Sequence, residues 1–183
     1  MKLTTTAHHA VQRHVSRGSV TIDATAGNGH DTLFLAQCVG PTGQVFAFDP
    51  QERAIASTQW RIDDAGVSDR VTLLQASHAT MADSLAAQCI GKVSVTMFNL
   101  GYLPGGDKTL TTQLESTLVA LEACTLLLSE TGVLSIMAYR GHTEGIAEFA
   151  GVSDWVNAQQ GRFVVLDHQE SPNAGPAWWL LSR

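Results

Sequence analysis

The stretch SVTIDATAGNGHDT, residues 19–32, joins a short apolar run, a carboxylate, two glycines and the start of a helical pattern. The run around Ile22 is typical of a strand covered on both faces, and Gly27 and Gly29 permit a tight turn close to a ligand. Four similar apolar runs follow, GQVFAFD, RVTLLQAS, VSVTMFNL and GVLSIMAY, and they alternate with segments of helical length and spacing. This alternation predicts a parallel sheet wrapped by helices.

The end of the chain has a different pattern. RFVVLDHQE (162–170) and PAWWLLSR (176–183) are joined by the turn-rich SPNAG, which predicts an antiparallel hairpin at the far edge of the sheet. Trp178 and Trp179 should point to opposite faces and pack in the core. We therefore expect one α/β domain over residues 1–183, with a seven-stranded, mostly parallel sheet and helices on both faces. A helix is predicted over 107–130.

Composition excludes several classes of protein. With 183 residues, of which 44% are hydrophobic and 15% charged, the chain can bury a core of its own. The three cysteines, Cys38, Cys89 and Cys124, are too far apart to suggest a disulfide framework or a zinc site. From these cysteines we expect no metal and a cytoplasmic location, since a reducing compartment is the simplest one for them. We expect no membrane span, because no apolar run approaches the roughly 20 residues of a membrane helix, and no signal peptide, because the first residues lack its apolar block.

The net charge of −6 argues against binding nucleic acid over the whole surface. Residues 1–22, however, contain no Asp or Glu and carry Lys2, Arg13, Arg17 and three histidines. This segment is either a solvated amphipathic helix or a small basic edge, in which Arg13 and Arg17 contact RNA beside an active site.

The glycine turn after the first strand is the first candidate binding site. Its pattern is Gly-x-Gly-x-x-Thr, so Thr32 occupies the third glycine position of a dinucleotide fingerprint. Asp23 would oppose a pyrophosphate but could orient a cationic ligand, which favours S-adenosylmethionine over NAD. Alternatively, Asp23 braces the glycine loop by accepting backbone N–H bonds. Asp31 is interpreted as a cap of the following helix.

The ends of the second and third strands carry further candidates. Asp49 falls where a carboxylate can accept bonds from both ribose hydroxyls, although it could also cap a helix that begins at Pro50. The adjoining Pro50 and Gln51 are included in the predicted cofactor site. Ser77 and His78 would lie near an adenine, and Ser77 could equally cap a helix.

The end of the fourth strand predicts the chemistry. Asn99-Leu100-Gly101-Tyr102 has the form Asn-x-x-aromatic, in which the Asn side-chain oxygen and the Leu100 carbonyl can accept from an amine N–H₂. Gly101 lets the backbone turn near the substrate, and Tyr102 offers a stacking face. These groups would aim the nitrogen lone pair of a neutral amine at a methyl donor, so alignment supplies much of the catalysis. The alternative is a hydrogen-bonded turn with Tyr102 packed on the core.

The segments DATAGNGHDTLFLA, VFAFD, MFNLGYLPGGDK and YRGH closely resemble, in order and spacing, a family of small S-adenosylmethionine-dependent methyltransferases known as putative rRNA methylases. The resemblance implies a Rossmann-like class I methyltransferase fold. It also implies S-adenosylmethionine as cofactor and tRNA as partner, since members methylate the aminomethyl group of 5-aminomethyl-2-thiouridine at the wobble position.

The resemblance also implies roles for individual residues. The cofactor loop would comprise Asp23, Thr25, Gly27, Asn28 and Gly29, with Asp49 on the ribose and Asn99 beside both cofactor and acceptor. The substrate loop would continue through Asp107 and Lys108, where Lys108 could meet a phosphate and Asp107 could simply cap a helix.

The fifth strand ends in AYRGHTEG. Tyr139 and His142 are expected to face the pocket opposite the glycine loop, with His142 shaping the site or accepting a proton through water. Arg140 is a candidate phosphate contact. The 171–176 loop departs from the asparagine-proline-rich pattern expected of the family.

Two other functions remain open at this point. A nicotinamide-dependent oxidoreductase could share the fold, and a cofactor-binding subunit could have lost catalysis. The missing third glycine and Asp23 disfavour the first, and the intact turn from Asn99 to Tyr102 disfavours the second.

Overall fold

The computed structural model describes residues 2–101, 111–141, 143–173 and 175–183. The described chain forms one seven-stranded sheet of order β3-β2-β1-β4-β5-β7-β6. Among the described strands, β7 is the one that runs in the opposite direction to the others, and it pairs antiparallel with both β5 and β6. The strands are β1 (Val20–Asp23), β2 (Gln44–Phe48), β3 (Val71–Leu74), β4 (Val93–Leu100), β5 (Leu128–Ala138), β6 (Val164–Glu170) and β7 (Ala177–Ser182). The predicted sheet and hairpin are confirmed.

Helices cover both faces of this sheet. They are α1 (Leu3–Val11), α2 (His30–Val39), α3 (Glu52–Asp64), α4 (Met81–Cys89), α5 (Leu114–Leu127) and α6 (Thr143–Ala158). Buried side chains of α1, α2 and α3 pack on one face, and those of α4, α5 and α6 pack on the other.

The buried side chains of β4 alternate between two separate hydrophobic clusters, one on each face of the sheet. Val95 and Met97 belong to the cluster under α1 and α2, whereas Phe98 and Leu100 belong to the cluster under α4, α5 and α6. Since successive side chains of a strand point to opposite faces, Asn99 faces the side of α1 and α2. The tryptophans follow the same rule: Trp178 is fully buried in the first cluster, and Trp179 lies in the second.

Two segments differ from the predictions. The helix predicted over 107–130 begins at Leu114 and ends at Leu127, and Leu128 already belongs to β5. The reason is long-range pairing, because Leu128 is in register with Val93 of β4. The basic N-terminal segment does form a helix, but it is not merely solvated, since Ala7 and Val11 are buried against the sheet.

The strand order reverses between β1 and β4, which are adjacent although β2 and β3 lie between them in sequence. Ligands of open α/β sheets bind at such a switch point, beyond the carboxyl ends of the strands. The carboxyl ends of β1 and β4 are Asp23 and Leu100, so the predicted glycine loop and amine-binding turn meet at this point.

Candidate active site

The glycine loop between β1 and α2 requires its glycines. Gly27 and Gly29 have positive φ angles of 53° and 78°, a conformation that L side chains rarely adopt. A Cβ at Gly29 would also lie 2.9 Å from the Cα of Thr58 in α3. The close approach of the loop to α3 therefore depends on glycine at this position.

Asp23, at the end of β1, braces this loop by accepting hydrogen bonds from it. Its side chain is fully buried and accepts from the Thr25 amide at 3.1 Å and from the Thr32 hydroxyl at 2.6 Å. Burial raises the pKa of Asp23 to about 7, and the nearby charge of Asp31 adds to the increase. These bonds support the loop-bracing interpretation. They also explain Thr32 in place of a third glycine, because its hydroxyl holds the buried carboxyl.

Asp49, directly after β2, contacts the same loop. Its Oδ2 accepts from the Gly27 amide at 3.0 Å, and its Oδ1 accepts from the Gln51 amide at 2.9 Å. Burial raises the pKa of Asp49. Since α3 begins at Glu52, Pro50 is not the first helical residue, contrary to the helix-cap alternative. Each carboxylate oxygen accepts more than one bond, so the ribose role stays compatible with this geometry.

Asn28, at the tip of the loop, is anchored to α3. Its carbonyl accepts from Arg61 Nε at 2.7 Å, and its side-chain oxygen accepts from the Ser57 hydroxyl at 3.4 Å. The loop is thus held in place from β2, α3 and its own strand.

Ser77 and His78 follow β3. Ser77 caps the short turn His78–Thr80 by accepting from the Ala79 amide, as the capping alternative predicted. His78 is 5% exposed, and its Nδ1 donates to the Ala24 carbonyl at 3.2 Å. Burial lowers the pKa of His78. The side chain therefore supports the first residues of the cofactor loop from within the core.

Asn99 is bound to the cofactor loop. Its backbone amide donates to the Thr25 hydroxyl at 2.8 Å, and its side-chain Nδ2 donates to Asp31 Oδ2 at 3.3 Å. Leu100 is in register with Ala138 and is fully buried, so its carbonyl as a substrate contact stays a prediction. The structure thus brings the predicted amine-binding residue beside the predicted cofactor loop.

Two residues beside Asn99 were not predicted as site residues. Asp31 does not cap α2, whose N-cap is Gly29; its Oδ1 instead lies 2.5 Å from Nε2 of His8 in α1. The His8 ring stacks on Phe34 with 4.0 Å between ring centroids. No local pattern in the sequence indicates that a residue of the N-terminal helix reaches the end of β4.

Gly101, directly after β4, is hydrogen-bonded to Thr112. Its φ of 147° favours glycine, and its amide donates to the Thr112 hydroxyl at 2.9 Å while the Thr112 amide donates to its carbonyl at 3.0 Å. The Thr112 hydroxyl in turn donates to the buried carboxylate of Glu148 in α6 at 2.6 Å, which also accepts from Thr117 at 2.7 Å. Glu148 therefore holds Thr112, and through it Gly101, to the core.

Tyr139 and Arg140 follow β5. Tyr139 lies beside Gly101, where an added Cβ would be 3.6 Å from its ring. The Arg140 guanidinium donates to Glu170 Oε2 at 2.7 Å and to the carbonyls of Gly175 and Ser171. Two of its nitrogens therefore hold the loop between β6 and β7, and the third holds the last residue of β6, so these contacts do not support Arg140 as an RNA contact.

Of the two N-terminal arginines, Arg17 lies away from these groups. Arg17 packs over Gly40, at the end of α2 and near the start of β1, and so lies at the amino-terminal ends of the strands, opposite the candidate site. Arg13 is exposed in the short turn after α1. The structure does not bring Arg17 to the carboxyl ends of the strands.

Four predicted site residues lie outside the described part of the chain: Tyr102, Asp107, Lys108 and His142. Within the described residues there is no group of three or more His, Cys, Asp or Glu side chains able to hold a metal. No described helix has the length and apolar character needed to span a membrane.

Comparison with known proteins gives a family match. The family model described as "Putative rRNA methylase" matches residues 45–181. The chain is 37% identical over 172 residues to the chloroplastic tRNA (mnm(5)s(2)U34)-methyltransferase of Arabidopsis thaliana. That match covers 85% of this chain but 62% of the relative, so this chain spans less than two thirds of that protein.

Solved structures resemble nearly the whole chain. The crystal structure of a "putative rRNA-methylase" from Clostridium thermocellum has 34% identity and a TM-score of 0.92, covering 98% of this chain and 96% of its own. A "putative methyltransferase" from Streptococcus mutans in complex with SAH has 28% identity and a TM-score of 0.85, with 100% and 98% covered.

Proposed function

The chain belongs to the "Putative rRNA methylase" family, and from this we propose that it is an S-adenosylmethionine-dependent N-methyltransferase that acts on an amine of RNA. Its acceptor in this proposal is the aminomethyl group of 5-aminomethyl-2-thiouridine at the tRNA wobble position. The observation that carries the proposal is the direct hydrogen bond between Asn99, the predicted amine-binding residue, and Thr25 of the cofactor loop.

The residues at the strand ends fit the cofactor chemically. Asp49 is acidic and directly follows β2, where it suits a cationic ligand with ribose hydroxyls better than a pyrophosphate, while Asp23, at the end of β1, is buried and holds the glycine loop in shape. We assign the glycine loop with Asp23, and Asp49 with the neighbouring Gln51, to this ligand. S-adenosylmethionine, when bound, supplies a methyl group on a positively charged sulfur.

Asn99 and the turn after it hold the acceptor in this proposal. An amine nitrogen must carry a free lone pair to accept a methyl group, and a site that partly excludes water favours the neutral amine. The Asn99 side-chain oxygen can accept one amine hydrogen, and the Leu100 carbonyl can accept another. Orienting the nitrogen in this way replaces the strong general base that other transferases need.

One relative supports tRNA over ribosomal RNA as the substrate. The Arabidopsis relative is named for a methyltransferase acting at a wobble uridine, and its match covers 85% of this chain. The family name itself refers to rRNA, so methylation of a ribosomal RNA amine is the second candidate.

The experiment is nucleoside mass spectrometry of tRNA from cells that lack this gene, before and after incubation with purified protein and S-adenosylmethionine. We expect an aminomethyluridine to gain one methyl group. Asn99→Ala should lower methyl transfer by about 100-fold or more, since it removes an orienting group, while calorimetry shows cofactor binding largely unchanged. The matched control is Asn157→Ala, at an exposed position of α6.

Two outcomes would contradict the proposal. Methylation of ribosomal RNA with no change in tRNA would replace the substrate by the second candidate. Equal loss of cofactor binding and methyl transfer in folded Asn99→Ala would contradict the assignment of Asn99 to the acceptor.

A further inference from the structure

Three elements that are distant in sequence meet in a linear arrangement of side chains beside Asn99. His8 of α1 contacts Asp31 Oδ1 at 2.5 Å, and Asp31 Oδ2 accepts from Asn99 Nδ2 at 3.3 Å. The His8 side chain is 26% exposed and that of Asp31 is 12% exposed, so both are partly shielded from water. The same residues line a small pocket together with Thr4 and Met137.

An ion pair that only fastens α1 to α2 would be the simplest explanation. Two details of the geometry go beyond it. The carboxylate divides its oxygens between the two partners, one for His8 and one for Asn99. The His8 ring is also fixed by near-parallel stacking on Phe34, at an interplanar angle of 3°. The stacked His8 ring therefore holds the Asp31 carboxylate in place, and Asp31 Oδ2 is the acceptor for the Asn99 side-chain NH₂.

The orientation of this amide decides what Asn99 can bind. An Asn side chain carries a donor NH₂ and an acceptor oxygen at nearly equivalent positions. A carboxylate only accepts hydrogen bonds, so it selects the NH₂ and leaves the oxygen for another group. An amine acceptor must itself donate to Asn99 while its lone pair faces the methyl donor, which only the oxygen permits.

We propose that Asp31 and His8 are positioning residues for methyl transfer: Asp31 fixes the Asn99 amide with its oxygen toward the acceptor amine, and His8 fixes Asp31. This inference rests on the proposed function for the identity of the acceptor. It also gives α1, which is remote from the glycine loop in sequence, a direct part in the site.

The first test is spectroscopic and needs no substrate. The Asn99 side-chain amide signals are assigned in a ¹⁵N–¹H spectrum by their loss in Asn99→Ala. We expect His8→Phe, which keeps a ring on Phe34 but removes the nitrogen, and Asp31→Ala to move these signals. His9→Phe, at the exposed neighbouring position, should leave them in place. Unchanged Asn99 signals in folded Asp31→Ala would overturn the proposal.

The second test is kinetic and uses tRNA from cells that lack the gene. His8→Phe should lower kcat about tenfold with little change in the KM for S-adenosylmethionine, because orientation and not cofactor binding is affected. His8→Gln, which retains a donor for Asp31, should recover part of that loss. In the Asn99→Ala background, His8→Phe should cause no further loss, since the effect passes through Asn99.

The outcomes separate this inference from the proposed function. If the wild-type protein transfers no methyl group to tRNA, the proposed function fails, and the amide signals alone decide whether Asp31 positions Asn99. If the wild type is active and His8→Phe matches it, or lowers kcat equally with and without Asn99, the positioning role is refuted.

Discussion

Replacing Asp23 by Asn should make the stability of the protein much less dependent on pH. The wild-type carboxyl is fully buried, and its pKa is raised from 3.8 to about 7, chiefly by burial. In the unfolded chain the same group titrates at its ordinary value. Between these two values the folded protein holds a proton that the unfolded chain has released.

The sign and size follow from proton linkage. A carboxyl whose pKa is raised by folding contributes stability that is fully present below its unfolded pKa and is lost as the pH rises through its folded pKa. Each pK unit corresponds to about 1.4 kcal/mol, so the wild-type free energy of unfolding should fall by about 3 kcal/mol between pH 5 and pH 8 on account of Asp23. Asn keeps an acceptor for the Thr25 amide but does not titrate, so this decrease should disappear.

The assay is urea unfolding followed by tryptophan fluorescence at several pH values between 5 and 8. The quantity of interest is the difference in unfolding free energy between Asp23→Asn and the wild type, which should grow as the pH rises. Asp64→Asn, at an exposed position of α3, is the matched control. If the difference stays constant over this range, Asp23 does not titrate between the two states as argued, and the reasoning is wrong.

Two further predictions concern the loop and the core. Gly29→Ala should lower the melting temperature more than Gly66→Ala. Both glycines have positive φ, but a Cβ at Gly29 would meet Thr58, whereas Gly66 faces open space. Equal decreases in melting temperature would contradict this packing argument. Glu148→Gln should cost about 1–3 kcal/mol of unfolding free energy, since it removes one of two acceptors for threonine hydroxyls. Urea unfolding beside the exposed Glu115→Gln would reveal this, and equal stability of the two variants would count against it.

The sheet was predictable because its signals are local. The apolar run of each central strand shows burial on both faces, and the terminal hairpin follows from two such runs around a turn. The boundary between α5 and β5 was not predictable, since Leu128 continues an apolar series of helical type. Its pairing with Val93, 35 residues away, decides the boundary.

The grouping of the candidate site residues at the strand ends was predictable for similar reasons. Asp23 ends β1, Asp49 directly follows β2 and Asn99 is the last residue but one of β4, so the topology brings them together once the strand order is known. His8 and Arg140 show where such reasoning stops. His8 reaches the site through the packing of α1. Arg140 instead donates hydrogen bonds to carbonyls of the loop between β6 and β7.

The position of β7 has a consequence for synthesis on the ribosome. This strand follows β6 in sequence, yet it lies inside the sheet between β5 and β6. While the chain is being made, β6 emerges before the strand that joins it to the rest, and Val164, Val165 and Leu166 then have no partner strand. The sheet is completed only when residues 177–182 insert between β5 and β6, so until then β6 presents unpaired backbone N–H and C=O groups that another chain could bind.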